Sequence, residues 1–418
     1  MAPYHLPIQL SSLLASIYWD PDPVAFYIPF TNHPVMWYGI LFALGFLISY
    51  WVMQWFMQRQ LLLLNEIDAG EILDWQTLVT RLQLALNTPD QSTLAPLVEA
   101  LSPSDRITLR QLDPAKSIPE SLKNKILEAI QRLLTCDSPS ISEALNTHAF
   151  CKSSHYRWAT RIQHENPIPL RRLWIMELLS DTFAPLSDTA TRWVDKMCWM
   201  IVVGVVVGAR LGHILFYDLH YYIAHPSKIL VVWEGGLASH GGVIGGLIGL
   251  LLFSNAIKKH YRTLVRISLL DLACICSGVV TGCIRLGNFV NQEIVGNVSS
   301  LPWAVYFAHP TDGTVPLARH PVQLYEAAGY FILFGALSAL WMRRGHQLIP
   351  GFVTGLLFTA IFSHRICMEF LKTPQGGAFT WWGLDTGQVL SLPFVLIGCY
   401  LMVRCRQRPL NTCVNTTK

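Results

Sequence analysis

Apolar residues gather in seven windows, at roughly 36–57, 194–217, 238–256, 267–289, 322–342, 350–371 and 386–404, and polar residues fill the stretches between. Each window is long enough for a helix to cross the hydrocarbon layer of a bilayer. The pattern predicts an all-α, polytopic membrane protein with about seven transmembrane helices. A polar block at 58–193 separates the first window from the second. Four segments follow: an outer N-terminal stretch and first span over 1–57, the 58–193 insert, a membrane domain over 194–404, and a tail over 405–418.

The polar block has its own helical signals. Ser117-Ile-Pro-Glu120 reads as a capping box opening a helix, with Pro119 in its first turn. Leu122, Ile126, Ile130, Leu133 and Leu134 then recur at helical spacing. Similar patterns near 71–87 and 171–180 predict a small helical insert with Pro- and Ser-marked turns. Nothing in it resembles a catalytic constellation, which points to a structural or interaction role.

Cations between the windows set a direction. Lys258, Lys259, Arg262 and Arg266 lie between the third and fourth, Arg343 and Arg344 between the fifth and sixth, and Arg404, Arg406 and Arg408 after the last. Cytoplasmic connections collect Lys and Arg, so the expected orientation is N-terminus outside and C-terminus inside. The insert then faces the cytoplasm.

Composition strengthens the membrane reading. Of 418 residues, 52% are apolar and 14% charged, with a mean hydropathy of +0.36. Soluble domains carry about a quarter charged residues. A net charge of +4 without a basic cluster argues against nucleic acid as a partner. The ten cysteines show neither zinc spacing nor a disulfide framework, so buried packing is their expected role. The N-terminus lacks the basic start of a cleavable signal peptide. No metal, nucleotide or nucleophile-elbow motif is present.

On the expected topology, ionisable groups from separate spans reach one layer at the outer boundary. Arg210, His213 and Asp218 come from the second window, His240 from the third, Arg285 to Glu293 from the fourth, and Arg365 and Glu369 from the sixth. Cations at membrane depth usually face a partner or an aqueous cavity. Each piece also has a structural explanation. Arg365 and Glu369, four apart, can pair on one helix face. Arg285 and Asn288 can be a snorkelling cation and a helix cap. The glycines at 241, 242, 245, 246 and 249 read as a packing stripe. Guanidinium forks suit phosphate oxygens, and an imidazole can take a proton near neutral pH. The residues alone imply an enzyme or a transporter handling an anionic lipid, with a phospholipid flippase as the alternative to an enzyme.

Arg285-Leu-Gly-Asn288-Phe-Val-Asn291-Gln-Glu293-Ile-Val-Gly296 resembles the signature of the bacterial prolipoprotein diacylglyceryl transferases, Gly-x-Arg-x-Gly-Asn-Phe-x-Asn-x-Glu-x-x-Gly, with Cys283 at the first glycine. Trp37-Tyr38-Gly39, Glu234-Gly-Gly-Leu-Ala-Ser-His240-Gly-Gly, Arg319-His320-Pro321-Val-Gln323-Leu-Tyr325-Glu326 and Arg365-x-x-x-Glu369 fit in the same order. The likeness covers 20–57 and 194–404. It implies transfer of diacylglyceryl from phosphatidylglycerol to the lipobox cysteine thiol of preprolipoproteins, without a cofactor, at the outer leaflet of the bacterial inner membrane. It also implies roles: Arg285 and Arg365 for phosphate and developing charge, and His240 as thiol base, with an arginine as the alternative activator. Asn288, Glu293, Gly296, Glu369 and Tyr38 become phosphatidylglycerol-binding residues, with Arg210 and His320 as weaker candidates. Two departures stand out: Ser239 replaces the aromatic residue common before the histidine, and Ile361-Phe-Ser-His364 lacks the tyrosine common before the sixth-span arginine.

Overall fold

The computed structural model describes residues 17–88, 93–113, 116–135, 153–216, 218–231, 238–311, 313, 315–373, 384 and 386–406. Short strands β1 (Ile17–Trp19), β2 (Val24–Ile28) and β3 (His33–Met36) precede α1 (Trp37–Leu62). The polar block follows as α2 (Trp75–Asn87), α3 (Ala95–Ala100), α4 (Pro103–Gln111), α5 (Glu120–Thr135), α6 (Ser154–Ile162) and α7 (Ile168–Leu178). Then come α8 (Leu186–Phe216), α9 (Leu219–Ala224), α10 (Ser239–Ile257) and α11 (Arg266–Val290). The chain continues through β4 (Val305–Phe307), β5 (Ala318–Arg319), α12 (Val322–Arg344), α13 (Phe352–Glu369) and α14 (Thr386–Arg406).

Among the described residues, six helices are long and apolar enough to cross a membrane: α1, α8, α11, α12, α13 and α14. The third apolar window forms α10, whose apolar stretch Gly241–Ile257 is shorter than the others. The chain is a multi-pass, all-α membrane protein. Its contacts divide it into two compact units, residues 1–53 with 270–418, and residues 54–269.

In the 54–269 unit, the insert has a true core. Leu78, Leu82, Ile126, Ile130, Leu134 and Trp174 are all buried in one cluster. The face expected from the spacing of α5 is the face that packs, since Leu122, Ile126, Ile130, Leu133 and Leu134 are buried. Its start differs from the expected capping box. The helix begins at Glu120, and its hydrogen-bond ladder opens on the Pro119 carbonyl, which accepts from Lys123 N at 3.2 Å. Proline has no N–H to offer, so the position just before the helix suits it.

A buried ion pair ties α7 to the segment after α1. Arg172, 0% exposed, donates through Nη2 to both carboxylate oxygens of Glu71 at 2.6 and 2.8 Å. The Tyr261 hydroxyl donates to the same carboxylate at 3.0 Å. Burial, and then the Glu71 charge, push that phenol well above its ordinary range. Glu66 accepts from the Thr263 amide at 2.9 Å and from the Arg262 amide. The turn between α10 and α11 is therefore built on carboxylates of the insert.

Helices α8 and α10 meet backbone to backbone. Gly204 and Gly208 lie against Gly245, and Gly208 and Gly212 against Gly241, so closely that an added Cβ would strike the facing main chain. Without side chains between them, two helices gain dispersion contacts along their whole length, which is how helices associate where no water is expelled.

In the other unit, β1 pairs in parallel with β4, which pairs antiparallel with β5, while β2 and β3 form a separate hairpin. Phe289, Val295, Val305 and Phe307 close a small core beneath them. Trp19 stacks on Phe289 at 4.5 Å and donates to its carbonyl at 3.0 Å. Asp271, buried on α11, accepts from Gly351 N, Thr354 N and Thr354 Oγ1 at 2.7, 2.8 and 2.6 Å. It thereby satisfies orphan donors at the start of α13. Gly351 has a φ of +99°, a conformation glycine reaches without steric cost.

Candidate active site

The signature stretch lies where α11 ends. Asn291 N donates to Gly287 O at 3.0 Å and Glu293 N to Asn288 O at 2.8 Å, closing the helix. Gln292 and Ile294 then take left-handed conformations, with φ of +54° and +53°. These two residues reverse the chain so that Glu293 folds back on the helix it has left.

The reversal wires the polar residues together. Arg285 Nε sits 2.9 Å from Glu326 Oε2, and its Nη1 donates to Asn288 Oδ1 at 3.2 Å. Asn288 Nδ2 donates to one Glu293 oxygen at 2.6 Å and Asn291 Nδ2 to the other at 3.1 Å. Gln323 on α12 donates to the Glu293 carbonyl at 2.6 Å. Arg285 also reaches the Tyr330 hydroxyl. The snorkel-and-cap explanation of Arg285 and Asn288 therefore fails, because both point into a bonded protein network. Tyr38 lies across Gly287, where a Cβ would come 2.6 Å from its ring.

Glu326 anchors this network. It is 0% exposed, and its second oxygen lies 2.9 Å from Lys372 Nζ. Lys372 also reaches Glu369 Oε2 at 3.0 Å. The expected partnership of Glu369 with Arg365 is not what forms: among the described residues the ion pair of Glu369 is to Lys372. Arg365 lies one turn before Glu369 on α13. Tyr330, on α12, brings a hydroxyl to Arg285, whereas the sixth span itself lacks a tyrosine.

Gly296 is held by Lys372 on one side and His320 on the other. It forms a β-bridge with Lys372, and its N–H donates to the His320 carbonyl at 3.2 Å. A Cβ at 296 would collide with that carbonyl and with Val322. His320 Nδ1 is 3.5 Å from the Tyr325 hydroxyl, which accepts from Trp303 at 2.8 Å. Arg319, 4% exposed, donates to the Gly296 and Val315 carbonyls at 3.2 and 3.1 Å. On the far side of the Glu293 turn lies a cavity of about 550 Å³, walled by Asp20, Asp22, Met36, Asn291, Glu293 and His309.

The remaining candidates belong to the other unit. His240 occupies the first turn of α10, and its side chain lies outside the described residues, as do residues 232–237 of its motif. Arg210 is 5% exposed and donates to the carbonyls of Lys228, Ile229 and Val231 at 2.5, 2.9 and 2.9 Å, with its guanidinium 4.9 Å over Tyr222. It binds a main-chain turn.

Tyr330 and Lys372 stand outside every motif of the sequence, while Gln323 and Glu326 stand in the Arg319–Glu326 motif without an assigned role. Glu326 carried a usable signal, since a carboxylate within an apolar helix is costly unless paired. Lys372, just beyond its apolar window, carried a local one, since it stands three residues after Glu369.

The family model described as prolipoprotein diacylglyceryl transferase matches residues 172–404. This chain belongs to that family. Relatives that carry the name phosphatidylglycerol–prolipoprotein diacylglyceryl transferase include three similar to this chain over half its length or more. The protein from Protochlamydia amoebophila is 36% identical over 391 residues, 94% of this chain and 95% of its own length. That from Tolumonas auensis is 45% identical over 214 residues, 51% of this chain and 79% of its own. That from Porphyromonas gingivalis is 38% identical over 234 residues, 53% and 80%. The first match takes in most of the 58–193 block, so a family member elsewhere also carries such an insert.

Proposed function

We propose that the protein transfers the diacylglyceryl group of phosphatidylglycerol to the lipobox cysteine of preprolipoproteins, at the outer leaflet of the bacterial inner membrane. The thiolate sulfur attacks the glycerol carbon that bears the phosphate ester. A carbon–sulfur bond forms, the carbon–oxygen bond breaks, and the electron pair leaves with glycerol 1-phosphate. Charge on the phosphate grows through the step, so fixed cations beside it lower the barrier.

The observation that carries this reading is the bonding of Arg285 to Glu326, Asn288 and, through Asn288, Glu293. A guanidinium fixed by a buried carboxylate is oriented in advance and keeps donors for a phosphate. Arg365 supplies a second cation. Asn288 and Glu293 shape the headgroup site, and the acceptor-rich cavity beside Glu293 suits the headgroup hydroxyls. Gly296 and Glu369 hold its frame, and Tyr38 forms one wall. His240 is assigned as the thiol base on its motif, and Arg210 and His320 act by holding backbone. The outer-leaflet assignment rests on the cationic connections at 258–266, 343–344 and after 404, which favour the cytoplasm.

Purified protein with phosphatidylglycerol and a lipobox peptide is expected to release glycerol phosphate only when the peptide carries its cysteine. Equal release with a Cys→Ser peptide would make the protein a phospholipase and overturn the transfer reading.

A further inference from the structure

Lys372 supports an inference that rests on the transfer reading and deepens it. Arg365 and Glu369 stand four residues apart on α13, the spacing at which opposite charges on a helix pair by default. Glu369 instead meets Lys372 at 3.0 Å, and the same ammonium meets Glu326 at 2.9 Å. Lys372 has little freedom to leave. Its side chain is 9% exposed. Its backbone bridges to Gly296, Thr373 donates through N and Oγ1 to the Val295 carbonyl at 3.3 and 2.6 Å, and Asn297 N donates to Leu371 O at 2.8 Å. On its other side Glu369 rests on Gly387, where a Cβ would come 2.8 Å from Oε1.

The charges then sort themselves. Glu326 is shared between Arg285 and Lys372, Glu369 is taken by Lys372, and among the described residues Arg365 has no ion pair. We infer that Lys372 is a positioning residue that occupies Glu369 and so keeps the Arg365 guanidinium for the lipid phosphate. Without Lys372, the cation nearest to Glu369 along its own helix is Arg365, and a carboxylate there competes directly with substrate phosphate.

A double-variant cycle tests this, with kcat and KM for phosphatidylglycerol measured at fixed lipobox peptide in wild type, Lys372→Met, Lys372→Arg, Glu369→Gln and the Lys372→Met/Glu369→Gln pair. Lys372→Met is expected to lower kcat/KM about tenfold, mostly through KM, and Lys372→Arg to stay within about threefold of wild type. Once Glu369 is an amide, Lys372 no longer keeps a carboxylate from Arg365, and Glu326 retains Arg285 on its other oxygen, so the double variant is expected to match Glu369→Gln within about threefold. That comparison stands even if Lys372→Met alone does not fold. Wild-type kinetics in Lys372→Met, or a double variant about tenfold worse than Glu369→Gln, would overturn the inference. An inactive wild type would instead reject the transfer reading.

Discussion

Arg285 shows why a charged residue can sit in an apolar helix. Its partner Glu326 is 0% exposed, so that carboxylate depends on the cations of Arg285 and Lys372 rather than on bulk water. Removing one member of such a pair strands the other, a larger loss than the pair's net worth. Arg285→Ala is expected to lower turnover about 100-fold or more, as loss of a charge-stabilising donor does. Arg285→Lys is expected to restore only a minor part, because an ammonium cannot hold Glu326 and Asn288 while presenting a fork to phosphate. Full activity of the lysine variant in the glycerol phosphate assay would remove the bidentate argument. The signature residues were legible in the sequence because polar groups at the end of an apolar helix need partners. Which partners they take was not. Spacing says that Arg365 and Glu369 share a helix face, but Lys372, three residues further on and bridged to Gly296 through its backbone, takes Glu369 instead.

At the scale of elements, the apolar windows match their helix ends to within two residues except at the end of α1 and the start of α8, which run on through polar residues to Leu62 and back to Leu186, because hydrophobic length is itself the physical requirement for a span. The glycine stripe of α10 was also legible as a packing face. Its partner was not, since nothing in the 241–249 stretch names Gly204, Gly208 and Gly212 of α8 as the surface it meets. A leucine at 245 would collide with the carbonyl of Gly204. Gly245→Leu is expected to cost about 1–3 kcal/mol through overpacking. In detergent this should appear as a lower Tm, with Gly335→Leu, where no atom lies within 4 Å of an added Cβ, as the control. Equal Tm values for the two variants would show that the close α8–α10 contact is not important to stability.

At the scale of the whole molecule, the insert is the feature whose role the sequence did not disclose. Its helices were legible from periodicity, but its attachment was not. Glu66 and Glu71 serve the turn at Tyr261–Thr263, and no local pattern links residues so far apart in the chain. Deleting 62–188 behind a short linker is therefore expected to lower thermal stability, by stripping those carboxylates from the turn, while activity per folded molecule falls less than about threefold. Loss of activity in a deletion that still elutes as a folded species would give the insert a part in the chemistry. Whether the Arg285 network drives alkyl transfer to a thiol is tested most directly by mass spectrometry of a lipobox peptide after incubation with phosphatidylglycerol and the purified protein. The predicted result is addition of one diacylglyceryl group on the cysteine, stable to hydroxylamine as a thioether is, and absent with Arg285→Ala. An adduct released by hydroxylamine, or one formed equally well by the alanine variant, would contradict the account.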